Sequence, residues 1–176
     1  MLFYCLVALI TLADASTLRR PSCNNNFQSQ VCRLRGGDAE HTFAMIKPDV
    51  AGDAEAVAAI KEQIVAAGLT IEREEPCTLS RELCEEFYAE HKERPFYGDL
   101  CSFMSSGPVL KLELSGDGAI LKWRALIGPT NSEKARDEAP DSVRAKFGTD
   151  GQRNAAHGSD AVESAERELG LMFKYR

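Results

Sequence analysis

The chain has 176 residues, enough for one domain with a sizeable core and short for two, with 44% hydrophobic residues and a formal charge of −6. Its first 37 residues hold four of the 21 Lys and Arg but one of the 27 Asp and Glu, leaving 17 against 26 and a body of charge −9. So acidic a body excludes broad binding of nucleic acid or anionic membrane, and confines any polyphosphate site to a local cluster of cations.

Leu2 to Leu12 is an apolar run of signal-peptide length, too short to cross a membrane as a helix, and it ends in the small-x-small sequence Ala13-Asp14-Ala15. Residues 1–15 read as a signal peptide, a buried N-terminal element being the alternative. Ser16 to Gly37 lacks acidic residues and sets Arg19, Arg20, Arg33 and Arg35 among Ser, Asn, Gln and Thr. That composition builds no core and reads as a disordered transit-like segment or a linker. In series the two predict entry into the secretory pathway, with the plastid of a complex-plastid alga, an endomembrane compartment or the exterior as destination. Cys5, Cys23 and Cys32 fall in this removable stretch. Cys77, Cys84 and Cys101 match no zinc spacing and read as buried free thiols, which suit reducing surroundings.

Residues 38–176 form the predicted domain. Thr42 to Ile46 is an apolar strand ended by Lys47-Pro48-Asp49. Ala54 to Ala67 is a helix with Val57, Ile60, Ile64 and Ala67 at helical spacing and Gly68 as its stop. Leu69 to Glu75 alternates as a second strand. Ser80 caps a helix through Ala89, a short helix covers Tyr97 to Ser105, and Val109 to Leu114 alternates apolar and charged residues as a third strand. Gly118 to Ile127 is helical. Thr130 to Arg153 reads as a long loop with a helical turn or two. A short strand near Arg153 to Ala156 and a helix from Val162 to Phe173 complete the chain. Together they predict an α+β, ferredoxin-like βαββαβ plan: a four-stranded antiparallel sheet with helices packed on one face.

Arg153-Asn154-Ala155-Ala156-His157-Gly158-Ser159-Asp160 sets a histidine among small residues, which leave space for a substrate at the ring. Glu168, on the following amphipathic run, can return a carboxylate to the other ring nitrogen. A histidine held in one tautomer with its second nitrogen free is suited to nucleophilic catalysis. Two more segments join it, Thr42-Phe43-Ala44-Met45-Ile46-Lys47-Pro48-Asp49 and Tyr88-Ala89-Glu90-His91-Lys92-Glu93-Arg94-Pro95-Phe96.

With Ser106-Gly107-Pro108 and Arg124-Ala125-Leu126-Ile127-Gly128-Pro129-Thr130-Asn131, these segments closely resemble nucleoside diphosphate kinase over about residues 41 to 173. The resemblance implies a ping-pong exchange in which His157 takes the γ-phosphate of a nucleoside triphosphate and passes it to a diphosphate. It implies phosphate contacts by Arg124, Thr130 and Arg144, sugar contacts by Lys47 and Asn154, and base stacking on Phe96 with Leu100 nearby. Glu168 would orient the histidine, Ser159 would add a hydrogen bond, and Tyr88 would line the site. Mg²⁺ would be held mainly by nucleotide phosphates, with no metal ligand set on the protein. The implied partners are nucleoside tri- and diphosphates and further copies of the chain in a homo-oligomer, with no nucleic acid and, after presequence removal, no membrane.

Residues on their own leave blander readings open: Arg124 as a solvated helix residue, Phe96 as core, Lys47 as a strand-end charge. His41 and His91 read as surface or structural histidines, and Asp49 as fixing the turn after the first strand. The chain departs from the family's main branch at Val50-Ala51-Gly52-Asp53 and in a loop about three residues longer between Asn131 and Ala139. The form Gly128-Pro129-Thr130-Asn131, the longer loop and Phe147-Gly148-Thr149-Asp150 look more like the divergent branch. That loop normally carries subunit contacts near a three-fold axis, so a dimer or other assembly is as expected as a hexamer. Gly151 stands where an aliphatic side chain commonly covers the base, which implies a looser base clamp. A non-catalytic binding module on the same fold is the competing class.

Overall fold

The computed structural model describes residues 39–174; the signal peptide 1–15 and the segment 16–37 read from the sequence lie outside the described residues. Four strands form the sheet, β1 (Glu40–Ile46), β2 (Thr70–Thr78), β3 (Pro108–Gly116) and β4 (Ala156–Gly158), in the order β2-β3-β1-β4. All three pairings are antiparallel, and β1 sits centrally with Met45 between Lys111 of β3 and His157 of β4. Among the described residues seven α-helices accompany them: α1 (Ala54–Ala66), α2 (Arg81–Phe87), α3 (Tyr97–Met104), α4 (Ala119–Ile127), α5 (Ser132–Glu138), α6 (Val143–Phe147) and α7 (Val162–Phe173). A 3₁₀ turn, Ala89–His91, follows α2. Among the described residues no helix is long and apolar enough to cross a membrane.

Side chains alternate across a strand, so β1 feeds two cores. Ala44 and Ile46 pack with Leu112 and Leu114 of β3, Ile60 and Ile64 of α1, Trp123 and Ile127 of α4 and Val143 of α6. Phe43 and Met45 pack with Cys84 and Phe87 of α2, Leu100 and Met104 of α3, and Leu169 and Phe173 of α7. Helices therefore cover both faces of the sheet, where the sequence plan put them on one. The unbroken apolar run Phe43-Ala44-Met45-Ile46 is what a strand buried on both faces shows. In β3 the charged positions are buried too. Lys111 donates to Glu75 (2.9 Å) and to the Met172 carbonyl (2.8 Å), with its ammonium 4.9 Å from the Phe173 ring centre.

Local chemistry sets the helix limits. Asp53 caps α1 through the N–H groups of Glu55 and Ala56, Ser80 caps α2 through that of Leu83, and Gly68, at φ +74°, ends the first connection in a left-handed conformation. The long loop holds two short helices, α5 capped by Asn131 and α6 by Ser142. At seven and five residues they bury too few positions to show a helical period.

Strand β4 starts at Ala156, later than the Arg153 to Ala156 strand read from the sequence. The backbone first turns: the Ala156 N–H donates to the Asn154 carbonyl at 2.7 Å, and Ala155 between them has φ +67°. Only then does the chain pair with β1, which places His157 in mid-strand.

Candidate active site

The His157 ring sits among aromatic rings, with centroids 5.1 Å from Phe87, 6.1 Å from Phe43 and 6.3 Å from Tyr88. Its Nε2 lies 2.9 Å from Oε2 of Glu168, which α7 brings back over the sheet. The Ser159 hydroxyl donates to the same oxygen at 2.7 Å. A carboxylate only accepts, so Nε2 carries the proton and Nδ1 is left with its lone pair. Glu168 and Ser159 are both buried, and Arg167 lies 3.5 Å from the other carboxylate oxygen.

Two groups from the end of β1 hold the turn before His157. The Ala155 N–H donates to Asp49 Oδ2 at 2.9 Å, and the Lys47 N–H donates to the Ala155 carbonyl at 2.9 Å. Asp49 thus secures a turn more than a hundred residues away and not merely its own. Such ties are needed, because a left-handed alanine costs about 1–3 kcal/mol.

Beyond the histidine, a Cβ on Gly158 would run into Cδ1 and Nε1 of Trp123. The indole N–H donates to the His157 carbonyl at 3.0 Å. Of the small residues around His157, Ala155 and Ala156 are packed inward and do not clear the room for a substrate that the sequence suggested. Ala155 and Ala156 are core residues and Gly158 makes room for Trp123.

A cavity of about 600 Å³ opens beside the ring, within the usual range for a small-molecule site. Its wall gathers Lys47, Tyr88, Phe96, Leu100, Arg124, Thr130, Arg144, Asn154, His157 and Glu168. Of the site residues singled out in the sequence, only Ser159 stays off the wall, behind Glu168. Two guanidiniums are anchored on the neighbours of the histidine. Arg124 donates to the Gly158 carbonyl (3.2 Å), and Arg144 to those of Ala156 (3.0 Å) and Gly128 (2.8 Å). Burial, then Arg124, lower Arg144 to about 10, so it stays charged at neutral pH. Its Nε and the Tyr88 hydroxyl are buried without a hydrogen-bond partner. Burial also pushes the Tyr88 phenol well above its ordinary range and keeps it protonated.

Lys47 is 6% exposed and donates to Asn154 Oδ1 (2.6 Å) and the Gln152 carbonyl (3.2 Å). Asn154 in turn donates to the carbonyls of Thr130 (2.8 Å) and Gly151 (3.1 Å). Burial, and next the charge of Arg144, lower Lys47 from 10.5 to about 8. Between those values the unfolded chain still holds this proton while the folded chain has released it, so this group makes stability rise with pH across that window. The melting temperature of the wild type, compared with Lys47→Met at pH 7.5 and 9.5, should show the rise only in the wild type. Parallel pH profiles would refute it.

The cavity also takes in Glu90, His91, Gly151, Gln152, Gly158 and Asp160, so of the small residues beside His157 the glycine does face it. Sequence reasoning left His91 as a surface or structural histidine, yet it stands on the wall beside Tyr88 and Phe96. Its position inside the Tyr88 to Phe96 motif was the available signal. His41 instead bonds Glu113 at 2.9 Å, away from this cavity.

A family model described as nucleoside diphosphate kinase matches residues 40–176. The chain is 50% identical over 141 residues to nucleoside diphosphate kinase homolog 7 of Rattus norvegicus, covering 80% of this chain but 35% of that protein. It thus spans about a third of the length of that relative and of its Mus musculus counterpart. With the nucleoside diphosphate kinase of Bdellovibrio bacteriovorus it shares 49% identity over 135 residues, 77% of this chain and 93% of the other. Among solved structures, the nucleoside diphosphate kinase of Aquifex aeolicus superimposes with a TM-score of 0.74 at 44% identity, over 77% of this chain and 95% of that one. The chain belongs to the nucleoside diphosphate kinase family.

Proposed function

We propose that the chain exchanges the γ-phosphate between nucleoside tri- and diphosphates through phosphohistidine at His157. The observation that carries this reading is the His157 ring, fixed through Nε2 by Glu168, on a cavity wall shared with Lys47, Arg124 and Arg144. Nδ1 attacks the γ-phosphorus; an N–P bond forms, the bond to the bridging β–γ oxygen breaks, and the diphosphate leaves. The phosphorylated ring, protonated at Nε2, is cationic, and buried Glu168 offsets that charge. In the second half an acceptor β-phosphate oxygen takes the phosphorus and the N–P bond breaks.

Such transfer requires positioned charge more than covalent machinery. Arg124 and Arg144 offer paired donors to phosphate oxygens, and the unpartnered Arg144 Nε and Tyr88 hydroxyl are donors awaiting an acceptor. Thr130 adds a hydroxyl, Lys47 and Asn154 reach the sugar, and Phe96 stacks on the base. Among the described residues no three His, Cys, Asp or Glu are grouped to hold a metal. Mg²⁺ would be carried on phosphate oxygens and waters, with Glu90 and Asp160 as the wall carboxylates open to those waters. Bound there it would neutralise phosphate charge.

The test is to label the full chain with γ-³²P-ATP and Mg²⁺ and chase with GDP. Acid-labile label that moves to GDP supports the exchange. Absence of label from a chain that binds ADP favours a non-catalytic binding module.

A Cβ at Gly151 would meet nothing within 4 Å, so this wall is open where an aliphatic side chain would cover the base. Gly151→Val should lower the KM for nucleotides roughly threefold with kcat unchanged, as expected for a gain in uniform binding. An unchanged or higher KM would refute the looser clamp. The N-terminal 37 residues are proposed to direct the chain into the secretory pathway, and the working assembly to be a homo-oligomer.

A further inference from the structure

The Phe96 ring, offered to the base, is 49% exposed and lies at the end of an unpacked stretch, since Lys92, Glu93, Arg94 and Pro95 are all exposed. Phe96 opens α3 with no side-chain cap. A ring so placed turns freely unless something fixes its plane, and a freely turning ring pays ordering entropy when a base stacks on it. His91 is the described ring in contact with it, at a centroid distance of 5.8 Å and an interplanar angle of 56°. His91 also lies nearly parallel to the buried Tyr88 ring, 6.3 Å away at 21°. Its backbone is tied at both ends: the His91 N–H donates to the Tyr88 carbonyl and the Arg94 N–H to the His91 carbonyl, each at 2.8 Å.

We propose that His91 is a positioning residue for nucleotide recognition, a half-buried ring that transmits the fixed plane of Tyr88 to the exposed Phe96 and so presets the base platform. This rests on the nucleotide reading of the site, but not on phosphohistidine chemistry. The energy lies in ring packing, so a flat apolar ring can replace the imidazole and an alanine cannot. The base end alone is concerned, because the phosphate donors Arg124 and Arg144 are held by backbone carbonyls around His157.

The experiment is titration calorimetry on the full chain and on His91→Ala and His91→Phe, with ADP and with inorganic tripolyphosphate, which has no base. His91→Ala should weaken ADP roughly three- to tenfold, the ordinary worth of an aromatic pair, with tripolyphosphate affinity unchanged and His91→Phe close to wild type. Equal weakening of both ligands would assign His91 to general folding and overturn the proposal. So would unchanged ADP affinity in His91→Ala, failure of His91→Phe to restore it, or a wild type that binds no ADP. A wild type that binds ADP but forms no phosphohistidine would sink the exchange reading alone, and the same titrations would still decide the role of His91.

Discussion

His157→Ala should lower phosphate exchange by on the order of 10⁵-fold or more while leaving ADP binding nearly intact. Neither neighbour can stand in for the lost ring. The Ser159 hydroxyl is buried and already committed to Glu168, and the Tyr88 phenol is kept protonated by burial. The groups assigned to phosphate, sugar and base take their positions from other contacts: Arg144 from two backbone carbonyls, Lys47 from Asn154 and Gln152. Binding and chemistry should therefore separate. Exchange within tenfold of wild type, read by the rate of GTP formation from ATP and GDP, would mean that phosphate passes without the histidine.

Of the residues that meet at the cavity, His157 and Glu168 were legible from their own chemistry and the others through the resemblance of their segments to the family's motifs, while the sheet with its order of helices followed from period and punctuation. What escaped depended on neighbours distant in sequence. Nothing in Lys111 or Glu113 announces burial; that comes from α7 crossing the strand and offering the Met172 carbonyl. Ala155 gives no sign of a left-handed backbone, since alanine does not prefer it. Asp49 and the Lys47 N–H impose it from the end of β1. The late start of β4 follows from that turn, so the strand misplacement and the hidden strain share one cause. His91 was passed over because its role is to hold another ring, and the pattern of one chain does not disclose which rings touch.

Gly158→Ala should be among the most damaging substitutions in the domain that removes no functional group. The added Cβ would occupy the space of the Trp123 indole edge, and Trp123 is fully buried between the sheet and α4. Overpacking of this kind costs about 1–3 kcal/mol, and the strained or lost hydrogen bond from the indole to the His157 carbonyl adds about 1 kcal/mol. A melting temperature lower by about 10 °C is expected. If β4 moves instead of the indole, His157 moves with it, and a displacement of about 1 Å lowers exchange roughly a hundredfold in protein that is still folded. Trp123→Phe in the same chain separates the two effects, because phenylalanine withdraws the five-membered edge that meets the new methyl group. The double variant should then be more stable than the sum of the single losses predicts, and should recover part of the exchange rate. Strict additivity in both measurements would mean that Gly158 is not there to admit Trp123.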